Sequence, residues 1–313
     1  MEPQDPDRPW KADRVLSEDG IRAAIASQFP GVDLGRLEHI GSGFEYDAYR
    51  TADDRVFRFP RRVEHAGTFR WESGVHGLVA DRLRPVAVPR VELWGRPGPY
   101  FPYAFTGHRL VPGRPADDPG IPESADLAAE LGEALSRIHS VPAAEARNRG
   151  VMPAADGPAE WLAEVRENAP TLRGLDTAVD AALEWIERRA EVPPDRDGPP
   201  RLLHNDLCPD HILVDPDSGR LTGILDWTDA ALGDPAFDFI VLVAWRGWRF
   251  FERVRKVYTP ELDPDFDRRV AFLARVSSID WLWEAREREA DANKHIRWVA
   301  NAFSAPRLSD ARA

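Results

Sequence analysis

His204-Asn205-Asp206-Leu207-Cys208-Pro209-Asp210-His211 runs into the apolar stretch Ile212-Leu213-Val214-Asp215. After a turn at Pro216–Gly219 the chain continues as Leu221-Thr222-Gly223-Ile224-Leu225-Asp226-Trp227. Two short apolar runs separated by a Pro/Gly turn read as paired strands. Each run carries an acid or a metal-type side chain at its edge, an arrangement that aims Asp206, His211 and Asp226 at one spot. Phosphoryl transfer needs such a spot. One carboxylate orients or deprotonates the attacking hydroxyl, and two ligands hold Mg²⁺ against phosphate oxygens, because catalysis there is mostly positioning and charge neutralisation.

Upstream lie three strand-like stretches, Leu37–Ile40, Tyr46–Thr51 and Arg55–Phe59, with Asp53-Asp54 as the hairpin turn between the last two. Ser17 is placed to cap a short helix that carries Ile21, Ile25 and Phe29 and ends at Pro30. A helix is predicted from about Gly67 to Leu83, followed by strands at Val88–Leu93 and Tyr100–Phe105. The segment Pro112–Pro122 is dense in Pro, Gly and Asp and reads as a connector. Beyond it Leu127, Leu131, Leu135 and Ile138 form a helical stripe with Ser124 as its cap. Further helices are expected at Ala159–Glu167, Thr177–Arg188, Ala236–Ala244 and Asp267–Arg288. The outline is α+β: a small β-rich lobe, then a larger and mainly helical one, with a cleft expected between them.

The composition narrows the partners. With 313 residues, 43% hydrophobic and 30% charged, the chain is long enough for one large or two joined globular domains. Its net charge of −12 repels nucleic-acid phosphates and anionic lipid, so neither is an expected partner. No apolar run approaches the roughly 20 residues that span a bilayer, and residues 1–10 have no apolar core of the signal-peptide kind. The single cysteine, Cys208, permits no intramolecular disulfide and suits a reducing compartment. A cytoplasmic, monomeric protein acting on a small molecule is the expectation.

The spacing of His204, Asp206, Leu207 and His211, followed by Asp226, matches the kinase catalytic-loop pattern H-x-D-L-x-x-x-N with its downstream metal-binding Asp. Here His211 stands at the Asn position, no Arg follows His204, and Asp226-Trp227-Thr228 replaces Asp-Phe-Gly. In these features, and in Gly233-Asp234-Pro235-Ala236-Phe237-Asp238, the chain resembles the antibiotic kinases that phosphorylate aminoglycosides and macrolides, over about Gly41 to Phe239. The resemblance implies a bilobal, protein-kinase-like fold: a flexible tail over 1–16, a nucleotide-binding N-lobe over 17–111 ending at the hinge, and a catalytic and substrate-binding C-lobe over 112–313. It implies Asp206 as the catalytic base, His211 and Asp226 as Mg²⁺ ligands, and His204, Asp234 and Asp238 as braces of the catalytic loop. ATP or GTP is the implied phosphate donor.

The same resemblance marks a nucleotide site. Gly41-Ser42-Gly43-Phe44-Glu45-Tyr46 joins the first two strands, where Ser42 and Gly43 would bring backbone N–H groups to phosphates. Arg58 stands where kinases carry the phosphate-binding lysine, in a run Arg58-Phe59-Pro60-Arg61-Arg62 similar to that of macrolide kinases, with Glu72 as its ion-pair partner. Arg109 and Val111 fall where the hinge would offer backbone groups to the base.

The acceptor is left open by the residues. Asn205, Pro209 and Asp210 resemble the aminoglycoside branch, whereas Arg58 and Asp226-Trp227-Thr228 resemble the macrolide branch. Asp280, Glu284 and Glu287, with Asp291 beyond them, form an acidic stripe that could hold ammonium groups, although such faces are commonly just solvated. A kinase of a small amino alcohol or sugar, or a silent nucleotide-binding module, are the competing readings. A protein kinase is disfavoured, since the H-R-D form and an A-P-E segment are both absent.

Overall fold

The computed structural model describes residues 12–13, 16–154, 157–288 and 290–304. Most of the expected tail, residues 1–11, 14 and 15, therefore lies outside the described residues. Asp13 is described, and its N–H donates to Arg61 O while its carboxylate accepts from Val63 N. The chain divides into two compact units, Met1–Pro112 with Thr222–Thr228, and Gly113–Leu221 with Asp229–Ala313.

The first unit is built on a five-stranded antiparallel sheet of order β1-β2-β3-β5-β4. Its strands are β1 (Leu37–Ser42), β2 (Tyr46–Thr51), β3 (Arg55–Pro60), β4 (Val91–Gly95) and β5 (Phe105–Arg109). Helix α1 (Glu18–Gln28) starts where Ser17 Oγ accepts from Gly20 N at 3.2 Å, and it buries Ile21, Ala24 and Ile25 against Phe57, Phe59, Phe101 and Phe105. The rings of Phe59 and Phe105 stack at 4.6 Å, and Gly95 and Gly107 leave space for Phe105 and Phe57 that a Cβ would fill. Helix α2 (Thr68–Leu83) follows a 3₁₀ turn at Val63–Gly67.

The fourth and fifth strands start three and five residues later than the periodicity suggests. The residues Tyr100–Ala104 instead form a loop in which Pro102 cannot donate to a ladder and Phe101 fills the core. The segment Thr222–Thr228 completes this unit: Ala87 N donates to Thr222 O and Ile224 N donates to Ala87 O.

The second unit is mainly helical. Its helices are α3 (Leu127–His139), α4 (Ala143–Asn148), α5 (Pro158–Asn168), α6 (Thr177–Arg188), α7 (Phe237–Arg246), α8 (Trp248–Val257), α9 (Phe266–Glu287) and α10 (Ala292–Phe303). Its short strands are β6 (Arg114–Pro115), β7 (Arg201–Leu203), β8 (Ile212–Val214) and β10 (Ala231–Gly233), with β6 paired to β8 and β7 to β10, while β9 (Leu221–Ile224) opens the segment that completes the first unit. Ser124 does not cap α3. Its Oγ accepts from Asp126 N at 3.2 Å, a turn one step before the helix begins.

Helix α7 is apolar on nearly every face, the signature of a central buried helix, and it packs against α8, α9 and α10. The stripe Phe272, Val276 and Ile279 of α9 is buried core. No helix among the described residues is long and apolar enough to cross a membrane.

Gly132 in α3 packs so closely on α8 that a Cβ there would collide with Val254 O and the Val257 side chain. Helix propensity favours Ala over Gly by about 1 kcal/mol, but overpacking a core contact costs about 1–3 kcal/mol. We therefore expect Gly132→Ala to lower the thermal unfolding midpoint, and an unchanged or raised midpoint would show that α8 moves aside without cost.

Candidate active site

In the second unit the catalytic-loop motif leaves β7 and is held from below by Asp238, in the first turn of α7. The Asp238 carboxylate accepts from His204 N at 2.8 Å, from Asn205 N at 2.7 Å and from the His139 ring at 2.9 Å. Because a carboxylate only accepts, His139 donates through Nε2–H, and its other nitrogen meets the Tyr258 hydroxyl at 2.8 Å. Burial works against a charge on Asp238. The hydrogen bond and charge of His139, with the nearby His204 and the Asn205 N–H, outweigh it and hold the carboxyl below its ordinary range.

Above this anchor Asn205 takes a left-handed conformation, φ 68°, which turns the chain so that Asp206 follows on a half-exposed surface. His204 is fully buried and its Nδ1 accepts from Asp206 N at 3.3 Å.

Asp206 and His211 come together. His211 Nδ1 lies 2.8 Å from the Asp206 carbonyl and 3.3 Å from Asp206 Oδ2. A carbonyl only accepts, so Nδ1 carries a proton; in the neutral ring Nε2 then has the lone pair, the tautomer a metal-binding imidazole needs. Ligand atoms of Asp206, Cys208 and His211 all lie within 4.8 Å of one another. Burial pushes the Cys208 thiol up, which keeps it protonated and argues against a nucleophilic role. Asp210, on the same loop, is bridged to Asp117 by Lys294 of α10, at 3.5 and 2.9 Å. Asp234 faces elsewhere: it accepts from Ala236 N at 3.0 Å and from Arg269, a buried arginine whose fork also holds Asp263.

The first unit holds a second constellation. Arg58 NH1 donates to both oxygens of the buried Glu72 at 2.7 Å, lies 3.9 Å from Asp226 through NH2, and rests over the Tyr46 ring at 4.2 Å. Burial opposes its charge, but Glu72 and Asp226 hold the guanidinium above the usual arginine range. Glu72 also accepts from Trp227 N at 3.4 Å, which ties α2 to the fully buried Trp227. Asp226 is left-handed at φ 53°, and its Oδ1 accepts from the Thr228 hydroxyl at 2.8 Å. Its carboxylate supplies the hard oxygen that Mg²⁺ prefers.

The other predicted residues are placed as follows. Ser42 donates to Asp47 Oδ1 at 2.6 Å and Gly43 N donates to Tyr46 O at 2.8 Å, so both are engaged in the tight β1–β2 hairpin. Arg109 reaches Asp53 O at 3.2 Å and Glu92 at 3.7 Å, and Val111 is buried. On α9, Asp280 accepts from Trp161 Nε1 at 2.7 Å and burial pushes its pKa up to about 6; Glu284 pairs with Arg288 at 3.5 Å and Glu287 is exposed. His139, Tyr258, Arg269, Asp263, Asp117 and Lys294 were not singled out in the sequence. Apart from Arg269 and Asp263, six residues apart, each lies far along the chain from its partner, and none carries a local motif.

A two-unit α+β chain with this loop and this arginine–glutamate pair is of the kinase-like phosphotransferase class. The model of the phosphotransferase enzyme family (APH) matches residues 36–272, and the chain belongs to that family. Its fold is that of a GDP complex of aminoglycoside 2'-phosphotransferase-IIIa, with TM-score 0.70 and 25% identity over 92% of this chain and 98% of that one. A macrolide 2'-phosphotransferase type I shares the fold at TM-score 0.63 and 21% identity, over 92% and 96% of the two chains.

Among characterised and uncharacterised relatives, YcbJ of Bacillus subtilis is 30% identical over 44% of each chain. The hygromycin-B 4-O-kinase of Escherichia coli is 31% identical over 24% of this chain and 22% of its own. The matches thus span less than half the length of these two relatives. Streptomycin 3''-kinase of Streptomyces griseus is 25% identical over 70% of this chain and 84% of its own.

Two stability predictions follow from the buried groups. Glu72→Ala leaves the Arg58 guanidinium without its buried partner and should cost about 3–5 kcal/mol in urea unfolding, against a smaller loss for the paired Arg58→Met, Glu72→Leu variant. His76, beside Glu72 at 3.6 Å, has its pKa pushed down from 6.5 to about 4 by burial. The unfolded chain then takes up the proton first, so this contribution is present above pH 6.5 and lost as pH falls towards 4. Urea midpoints of His76→Gln should fall less steeply than those of the wild type in that window; parallel curves would reject the assignment.

Proposed function

We propose that the protein transfers the γ-phosphoryl group of ATP or GTP to a hydroxyl of a small molecule, and that the acceptor is of the aminoglycoside class. The observation that carries this reading is the loop held by Asp238, which presents Asp206 beside a His211 of defined tautomer. The aminoglycoside choice draws on the relatives: the streptomycin kinase extends over most of both chains, and the neighbour with TM-score 0.70 is an aminoglycoside enzyme.

Asp206 takes the proton of the attacking hydroxyl, or orients it, from its half-exposed position at the loop surface. His211 through Nε2 and Asp226 through its carboxylate would hold a divalent cation. When bound, Mg²⁺ would neutralise charge on the phosphates. Arg58, kept charged and fixed by Glu72, is suited to bind phosphate oxygens of the nucleotide. Asp238 and His139 act through the backbone of the loop, by fixing where Asp206 stands. At the base end, nothing among the described residues engages the backbone N–H and C=O of Val111, which leaves them available to a nucleobase. The contiguous division at the hinge, 17–111 and 112–313, remains part of this proposal, as do the cytoplasmic setting and the monomeric state.

Asp206→Ala should lower turnover by roughly 10²–10⁴ while leaving the unfolding midpoint near that of the wild type. The measurement is radiolabelled phosphate transfer from ATP and, separately, GTP with Mg²⁺ to a panel of aminoglycosides, macrolides, amino alcohols and sugars. Activity within a few-fold of wild type in the variant would remove Asp206 as the base. Transfer to a macrolide or a metabolite alone would replace the acceptor class.

A further inference from the structure

Helix α7 ends at Arg246 and α8 begins at Trp248, with Gly247 between them at φ +75° and ψ 174°. That conformation is open to glycine and closed to most side chains, so the junction can have no side-chain cap, and α8 indeed starts without one. Gly247 O accepts from Phe250 N and Phe251 N. The N–H groups of Trp248 and Arg249 have no partner among the described residues.

A groove of about 820 Å³ opens at this junction. Arg246, Arg249 and Arg253 line it, with Glu252 as the one carboxylate and Ser304 at the edge. Trp248 also lines it and is 6% exposed, and its indole Nε1–H is buried with no hydrogen-bond partner. An unpaired buried donor of this kind is costly and rare.

The charge is as unusual as the hydrogen bonding. In a chain of net charge −12, α8 carries Arg249, Arg253, Arg255 and Lys256 against Glu252 alone. Arg255 is paired with Asp267, and Arg246 meets the exposed Glu123 at 3.0 Å. Arg249 and Arg253 have no ion pair among the described residues. The guanidinium carbons of Arg246 and Arg253 lie 5.9 and 5.5 Å from the centre of the same Phe250 ring. Burial, with Arg253 adding to it against the pull of Glu123, holds Arg246 below the usual arginine range.

We propose that the groove at the α7–α8 junction is a binding site for a phosphate group. A tetrahedral oxyanion accepts from backbone N–H groups at a helix start, from guanidinium forks and, with a small turn of the indole, from the buried Trp248 N–H, and it supplies the counter-charge that Arg249 and Arg253 lack. The groove is lined by none of the residues assigned above to nucleotide, metal or base. Its volume exceeds that of a bare phosphate and accommodates a small molecule carrying one. Helix α7 has Asp238 in its first turn and the groove at its last, so a ligand here sits on the helix that anchors the catalytic loop.

The test is the ¹H–¹⁵N indole resonance of Trp248, identified by its loss in Trp248→Phe, in the nucleotide-free full chain. Inorganic phosphate and glucose 6-phosphate are titrated separately. A saturable shift with both ligands is expected, weakened about tenfold in each of Arg249→Ala and Arg253→Ala. Both side chains are exposed, so these variants should fold as the wild type does. Tighter binding of glucose 6-phosphate assigns the site to a phosphorylated small molecule, and equal affinity assigns it to free phosphate. A resonance that stays still up to tens of millimolar phosphate, or that moves equally in the Arg249→Ala, Arg253→Ala double variant, overturns the proposal.

Discussion

A single buried carboxylate, Asp238, sets where the chemistry of the second unit can occur. Two consecutive backbone N–H groups, of His204 and Asn205, end on it, as does the His139 ring from a helix 99 positions earlier in the chain. Burying a charge is expensive unless it is paired and hydrogen-bonded, and here α3 and the catalytic loop converge on α7 to supply three donors. The loop therefore cannot shift without exposing a paid-for charge to an apolar surround. Asn205 can then hold a left-handed conformation that an unconstrained loop would relax, and Asp206 emerges at one place.

The first unit relies on the same device in different form. Arg58 and Glu72 are both nearly excluded from water, and their bidentate contact is joined by Tyr46, Trp227 and Asp226. An isolated pair of this kind contributes little net stability, because desolvation consumes most of the attraction. Its value is directional. The guanidinium plane is fixed from two sides, so its remaining donors point one way whatever occupies the site.

What could be read from the chain without its structure was whatever the chain keeps local. The motif at His204–His211, the following Asp226, the Ser17 cap of α1 and the stripe of α3 are all patterns within a few residues, and they located the β-rich and helical portions. Arg58 and Glu72 were legible as a pair only through likeness to kinases, since 14 residues and a turn separate them. His139, Tyr258 and Arg269 were not legible at all. A histidine at the end of an amphipathic helix gives no sign that its partner lies a hundred residues on. The late start of β4 and β5 was missed for a related reason: Phe101 and Phe105 look alike in periodicity, and only the packing of the core separates a loop anchor from a strand residue.

The segment Thr222–Thr228 has a consequence for how the chain is made. It belongs to the first unit, yet it is synthesised more than a hundred residues after Pro112. Until it leaves the ribosome, the backbone groups of Ala87 lack their partners at Thr222 and Ile224, and Glu72 lacks the Trp227 N–H. The first unit must therefore wait, incomplete, while Gly113–Leu221 of the second is translated. Contacts of such long sequence separation are late and slow to form. The last segment to reach the first unit also carries Asp226, so the unit is finished by the arrival of the carboxylate that faces Arg58.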